Sequence, residues 1–133
     1  MLVLMKVAIK REVLESCLMG GQESHPREFL GLLSGFRKGD LVKVEQLYLA
    51  PLSQSDERSA SYNTFNVPVG LGVVGTFHSH PSGPALPSGA DLRLFSRAGA
   101  ANLIAAYPYR ISDVNAFDSK GKRIEFEITD DKK

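Results

Sequence analysis

Residues 78–91, HSHPSGPALPSGAD, hold the side chains of this sequence that are best suited to bind a metal ion. Successive side chains of a strand alternate between its faces, so His78 and His80 are predicted to share one face and could contact the same cation. Asp91 follows at a predicted helix start, from which its carboxylate could supply a third ligand. Two imidazoles and a carboxylate with an open position are typical of catalytic zinc sites, whereas structural sites are closed and usually hold cysteines.

Each of these residues also has an ordinary explanation. His-x-His pairs occur on strand faces and protein surfaces that bind no metal. The pattern Ser-x-x-Asp before an apolar helical run is close to a capping box, with Ser88 as the N-cap of the helix and Asp91 as its partner. The two roles are compatible, because a helix start brings both side chains to a defined place from which they can still face a site.

A zinc hydrolase also needs a base that takes a proton from the metal-bound water, whose pKa the metal lowers to about 7. Glu28 in HPREFLGLLSG is the candidate, because it introduces a charge at the opening of an apolar strand. The same position is equally suited to a solvated carboxylate at a strand edge. Spacing along the chain does not bring Glu28 to the histidines.

The segment HPREFLGLLSG followed by GTFHSHPSGPALPSGADLRLF resembles the JAMM (MPN+) zinc metallopeptidase family, whose motif is a Glu, then His-x-His-Pro, then Ser-x-x-Asp. The likeness extends through NLIAAYPY and FDSKGKRIEFEI and is greatest with the short, single-domain archaeal members. This resemblance implies an MPN/JAMM domain with an architecture like that of cytidine deaminases.

Carried over to this sequence, the resemblance implies that His78, His80 and Asp91 bind Zn²⁺. Glu28 would deprotonate the zinc-bound water and pass the proton to the leaving amine, and Ser88 would donate a hydrogen bond to the oxyanion of the tetrahedral intermediate. The implied enzyme is a metallopeptidase of the isopeptidase, or deubiquitinase-like, type.

The substrate that the resemblance implies is a ubiquitin-like protein, cleaved at an isopeptide or peptide bond to its C-terminal tail. The chain lacks the long insertions that could form a ubiquitin-binding surface, so two alternatives stay open. One is a peptidase that releases an amino acid from the C-terminus of a sulfur-carrier protein. The other is a noncatalytic scaffold of the same fold.

Composition narrows the class of protein further. The 133 residues suit one domain, with a polar tail at about 129–133, and a net charge of +1 without long runs of one sign predicts no nucleic-acid partner. A single cysteine and an apolar N-terminus too short to span a bilayer predict a cytoplasmic protein without a membrane segment. The oligomeric state is left open, a homodimer included.

Hydrophobic periodicity predicts a mixed α/β fold, with a curved mixed β-sheet flanked by two or three helices. One helix is predicted from Lys10 to about Glu23, ending or loosening at Gly20 and Gly21, with Val13, Leu14, Cys17 and Leu18 buried. A second begins at Pro87 and Ser88 and buries Leu92, Leu94, Phe95 and Ala98. Strands are predicted in MLVLMKVAI, EFLGLLSGF, LVKVEQLYL, a short piece at 61–66, GVVGTFHSH, NLIAAY, ISDVNAF and RIEFEI, and a surface loop at 53–61.

Two further motifs are better explained by structure than by chemistry. GLGVVG at 70–75 matches a dinucleotide-binding fingerprint, but a β-rich stretch follows it where that fingerprint requires a helix. Cys17 lies on the apolar face of the first helix, which favours a buried, inert thiol over a nucleophile.

Overall fold

One mixed sheet organises the part of the chain that the computed structural model describes, residues 5–49 and 70–130. Its elements are, in chain order, β1 (Lys6–Lys10), α1 (Arg11–Ser24), β2 (Leu30–Lys38), β3 (Leu41–Leu49), β4 (Val73–His80), α2 (Gly89–Ala98), β5 (Ala101–Ala106), a 3₁₀ turn (Ile111–Asp113), β6 (Val114–Phe117) and β7 (Arg123–Thr129).

The strands close into a ring in the order β1-β3-β2-β4-β5-β6-β7, with β7 returning to β1. β1 runs parallel to β3 and β7, and β4 runs parallel to β5, while the other neighbours are antiparallel. The predicted mixed sheet with flanking helices is therefore confirmed, and the likeness to cytidine deaminases stays a prediction. β4 has β2 on one side and β5 on the other, which places the histidine strand inside the sheet.

The two helices pack on opposite faces of the sheet. Leu33 and Phe77 are buried in one cluster with the predicted apolar face of α1, whereas Leu32 is buried against Leu94 of α2. Neighbouring residues of a strand point to opposite faces, so α2 covers the face that carries the even-numbered residues of β4. His78 and His80 lie on that face.

The structure corrects two features of the predicted helices. α1 runs from Arg11 to Ser24, close to the predicted bounds, and is not interrupted at Gly20 and Gly21. A Cβ at Gly20 would lie 2.6 Å from the Phe29 ring, so glycine permits a close approach there that outweighs its low helix propensity. On α2, Leu92 is 38% exposed because it sits at the edge of the apolar stripe, and Ala90 and Asp91 are buried instead.

Two further predicted segments have different bounds in the structure, and two others fall on residues that it does not describe. The ISD of ISDVNAF forms the 3₁₀ turn, and the strand starts only at Val114. At the predicted tail, Thr129 belongs to β7 and Asp130 pairs with Arg11. The loop at 53–61 and the strand at 61–66 lie outside the described residues. No helix in the described ranges combines the length and the apolar character needed to cross a membrane.

Gly75 is a site where an added methyl group should disrupt the sheet. It lies beside Ala101 in the β4–β5 pair, and a Cβ there would overlap the Ala101 carbonyl group. We expect Gly75→Ala to lower the free energy of unfolding by about 2–3 kcal/mol or more, because the obstacle is backbone. Urea unfolding followed by circular dichroism measures the change.

The matched control for this prediction is Gly89→Ala. A Cβ at Gly89 would have its nearest neighbour at 3.7 Å, in the Arg93 guanidinium group, and alanine favours the helix that Gly89 opens. This variant should unfold at the wild-type urea concentration or slightly above it. Equal unfolding midpoints for the two variants would contradict the packing described here.

Candidate metal centre

The C-terminal end of β4 brings both histidines of HSHP to one carboxylate. His78 Nδ1 lies 3.2 Å from Asp91 Oδ1, and His80 Nε2 lies 3.1 Å from Asp91 Oδ2. His78 is fully buried, with the edge of its ring against Phe95 of α2 at 5.5 Å between centroids. The structure thus brings together the three side chains predicted as metal ligands, as strand alternation requires.

Asp91 is held in place by the start of α2. Ser88 Oγ accepts a hydrogen bond from the Asp91 backbone N–H at 3.1 Å, and the Ser88 N–H donates to Asp91 Oδ2 at 3.0 Å. The predicted capping box is confirmed. Its geometry uses Ser88 Oγ as an acceptor, so the hydroxyl proton is not consumed by the cap and can be donated elsewhere.

The orientation of the His80 ring follows from its backbone contact. His80 Nδ1 lies 3.2 Å from the carbonyl oxygen of Pro84. A carbonyl only accepts, so Nδ1 carries the proton and Nε2 is the nitrogen turned toward Asp91. The loop between β4 and α2 therefore does more than connect them, since it also selects which nitrogen of His80 is presented to the cluster.

The charges of the cluster favour an ionised carboxylate. Burial alone would raise the pKa of Asp91, but the adjacent His78 and His80 rings and the hydrogen bond from the Ser88 N–H outweigh it and hold this pKa well below its usual range. Burial alone would lower the pKa of His80, yet Asp91, the Pro84 carbonyl and Glu28 together raise it. At neutral pH the Asp91 carboxylate is thus a buried negative charge that attracts a cation.

Glu28 lies next to this cluster, although it is distant in sequence. The Ser79 N–H donates to the Phe29 carbonyl at 2.9 Å, and the Phe29 N–H donates to Ser79 Oγ at 2.7 Å. This pair continues the register that sets Leu30 opposite His78, so Glu28 falls opposite His80. Glu28 is exposed and precedes the first residue of β2, rather than opening that strand as predicted.

The donor set fits a zinc ion. Two imidazole nitrogens and a carboxylate are ordinary zinc ligands, and donors about 2.0–2.1 Å from a tetrahedral ion lie roughly 3.3 Å apart. The separations of 3.1–3.2 Å in the cluster are close to that value. The two histidines contact different oxygens of Asp91. In the described ranges, no group of three or more His, Cys, Asp or Glu side chains already has the arrangement of a metal site.

Some neighbours of the cluster were not predicted from the sequence. Ser79, between the two histidines, ties the Glu28 segment to β4, and a polar residue buried between two candidate ligands was a signal for such a role. The aromatic partners of His25 were not predicted: its ring stacks on Tyr107 at 4.6 Å between centroids, and its Nδ1 lies 2.8 Å from the Tyr109 hydroxyl. Both tyrosines follow β5, so only the β4–β5 pairing could have revealed them.

Cys17 and the GLGVVG motif have the structural roles that the sequence predicts. Burial raises the pKa of the Cys17 thiol to about 12, so this side chain is not a thiolate at neutral pH. Gly70 and Gly72 adopt positive φ angles of 97° and 66° and form the turn into β4, where a dinucleotide-binding loop would lead into a helix. Neither of these motifs therefore adds a candidate site to the cluster of His78, His80 and Asp91 within the described residues.

Known proteins are similar to this chain in sequence. A family model of prokaryotic homologs of the JAB domain matches residues 10–120. A protein of Haloferax volcanii described as a probable metalloprotease is 35% identical over 130 residues, which span 93% of this chain and 80% of the relative.

Solved structures are similar over nearly the whole chain. A JAB1/MPN domain protein from Archaeoglobus fulgidus is 33% identical with a TM-score of 0.69, covering 94% of this chain and 99% of its own. A second structure, described as "JAMM: A Metalloprotease-like Zinc Site in the Proteasome and Signalosome", is 32% identical with a TM-score of 0.66, covering 96% and 99%. A solution structure from Desulfitobacterium hafniense, 24% identical with a TM-score of 0.64 and 94% of each chain covered, shares the fold.

Proposed function

Because the chain belongs to the JAMM family, in its group of prokaryotic JAB-domain homologs, we propose that it is a zinc metallopeptidase. The observation that carries the proposal is the contact of His78 and His80 with the carboxylate of Asp91 at the start of α2. Two neutral imidazoles and one carboxylate leave a position for water on a zinc ion, as catalytic sites require.

Zinc bound there would supply Lewis-acid chemistry, activating a water molecule at neutral pH and polarising the carbonyl of the scissile amide. Glu28 is exposed and its charge helps to raise the pKa of His80, which supports a role for its carboxylate in taking the proton of the attacking water. The same carboxyl group then protonates the leaving amine. Ser88 still has a hydroxyl proton to donate, and it stabilises the oxyanion that forms on the substrate.

The substrate we propose is a ubiquitin-like protein, cleaved at an isopeptide or peptide bond to its C-terminal tail. The family membership supports this class, and so does the exposure of Glu28, because the site must open to the surface for a folded protein to present its tail. Asp91 and His78 are buried, so two of the three side chains that would hold the metal are shielded from solvent.

The test is cleavage by the purified, zinc-loaded protein of conjugates made with the ubiquitin-like proteins of its own host. Mass spectrometry should show a free modifier with a C-terminal carboxylate and a free lysine amine, and phenanthroline should abolish the reaction. No cleavage beyond that of an Asp91→Ala protein would refute the proposal. Cleavage only of sulfur-carrier proteins extended by one amino acid would assign the enzyme to sulfur transfer instead.

A further inference from the structure

Three fully buried polar side chains form a line that ends at the candidate metal centre: Asn102 on β5, then Thr76 and His78 on β4. Thr76 and Asn102 are partners in the parallel register of the two strands. The Thr76 hydroxyl lies 2.9 Å from His78 Nε2 and donates to Asn102 Oδ1 at 2.8 Å. Buried polar groups must find partners, so the direction of each bond in this line can be worked out.

The Asn102 amide can adopt only one orientation. Its Nδ2 lies 2.8 Å from the carbonyl oxygen of Gly99, with the carbonyls of Phe117 and Asp118 at 3.4 and 3.5 Å. Carbonyl oxygens only accept hydrogen bonds, so the amino group must face them. The opposite orientation would set Oδ1 against three acceptors, and therefore Oδ1 faces Thr76.

This orientation determines the tautomer of His78. A threonine hydroxyl has one proton, and Thr76 donates it in the hydrogen bond to Asn102 Oδ1. Thr76 Oγ1 can then only accept from His78, so Nε2 carries a proton and Nδ1 is the nitrogen that faces Asp91 Oδ1. Which nitrogen of a histidine binds a metal is set by the hydrogen bond that the other nitrogen makes.

We propose that Thr76 and Asn102 are positioning residues for the metal ligand His78, fixing its Nε2–H tautomer so that Nδ1 is presented to the cation. The inference rests on the proposed zinc site. The Pro84 carbonyl fixes the tautomer of His80 in a similar way, but there the proton is on Nδ1 and Nε2 is presented. The two neighbouring ligands are therefore oriented by independent partners. Asn102 acts one residue further away, through the hydroxyl of Thr76.

The experiment compares wild type with Thr76→Val and Thr76→Ser. Valine keeps the shape of threonine but cannot accept from Nε2, whereas serine keeps the hydroxyl. We expect the zinc dissociation constant, measured by competition with a chromogenic chelator, to rise about 10–100-fold in Thr76→Val and less than about threefold in Thr76→Ser. An unchanged zinc affinity in a folded Thr76→Val protein would overturn the proposal.

The tautomer gives a second readout that does not depend on activity. Two-bond ¹H–¹⁵N correlations of the imidazole rings distinguish the nitrogens, and the chain has only three histidines to assign. In wild type and Thr76→Ser, His78 should show a protonated Nε2, and zinc should bind at Nδ1. A proton on Nδ1 with zinc at Nε2 would overturn the inference. If the wild-type protein bound no zinc, the proposed function would fail, while the metal-free spectrum would still test the orientation of the ring.

Discussion

Replacing Asp91 by alanine should leave a protein that no longer binds zinc or cleaves amide bonds. The Asp91 carboxylate contacts both histidines and is the only negatively charged side chain given to the proposed metal. Elemental analysis after zinc loading should therefore fall from about one ion per chain to near zero. With free zinc at a thousand times the dissociation constant, the loss should lower the free energy of unfolding by about 4 kcal/mol, because the ion binds only the folded state.

Ser88→Ala is the matched control for this effect. It removes the capping hydrogen bond to the Asp91 N–H but keeps the carboxylate, so the free energy of unfolding should fall by only about 1 kcal/mol. Its zinc content should stay near that of the wild type. Full zinc occupancy of Asp91→Ala would show that the ion is bound elsewhere and would refute the ligand assignment.

Replacing Glu28 by glutamine should abolish catalysis without removing the metal. Glu28 lies opposite His80 and is exposed, and glutamine keeps the size and shape of its side chain, so the fold and the zinc affinity should be retained. The loss of a general base typically costs 10²–10⁴-fold, and we expect kcat to fall by about that factor. Steady-state kinetics on a cleavable conjugate, with zinc content measured on the same sample, separates the two effects.

Glu125→Gln provides the control for the change of charge. Glu125 is an exposed carboxylate on β7, which pairs with β1 and β6 rather than with the histidine strand. This variant should retain wild-type kcat. If Glu28→Gln also retained it, the base would have to be another group, and the mechanism proposed for Glu28 would be wrong.

The parts of the site that follow from local rules could be predicted from the sequence. Alternation along a strand places His78 and His80 on one face, and the capping box fixes Ser88 and Asp91 relative to each other. A loop of only seven residues, 81–87, joins these two pieces, so their meeting required little further information. The sheet, its strands and the apolar face of α1 likewise follow from periodicity and burial.

The parts that depend on pairing between distant strands could not be predicted locally. Glu28 reaches the cluster through the β2–β4 register, which the Ser79–Phe29 hydrogen bonds fix, and only the family resemblance pointed to it. The support of His78 by Asn102 depends in the same way on the pairing of β4 with β5. At Gly20 the low helix propensity of glycine predicted a break in α1. The helix continues there because glycine lets the Phe29 ring pack closely against it.

Activity measured as a function of added zinc tests whether the protein is a zinc peptidase. The metal-free protein is titrated with zinc, and cleavage of a ubiquitin-like conjugate is followed at each step. The proposed mechanism predicts that activity is absent at the start, rises in proportion to bound zinc and stops rising at one ion per chain, with no activity at any occupancy in Glu28→Gln. Cleavage by the metal-free protein, or activity independent of zinc occupancy, would contradict it.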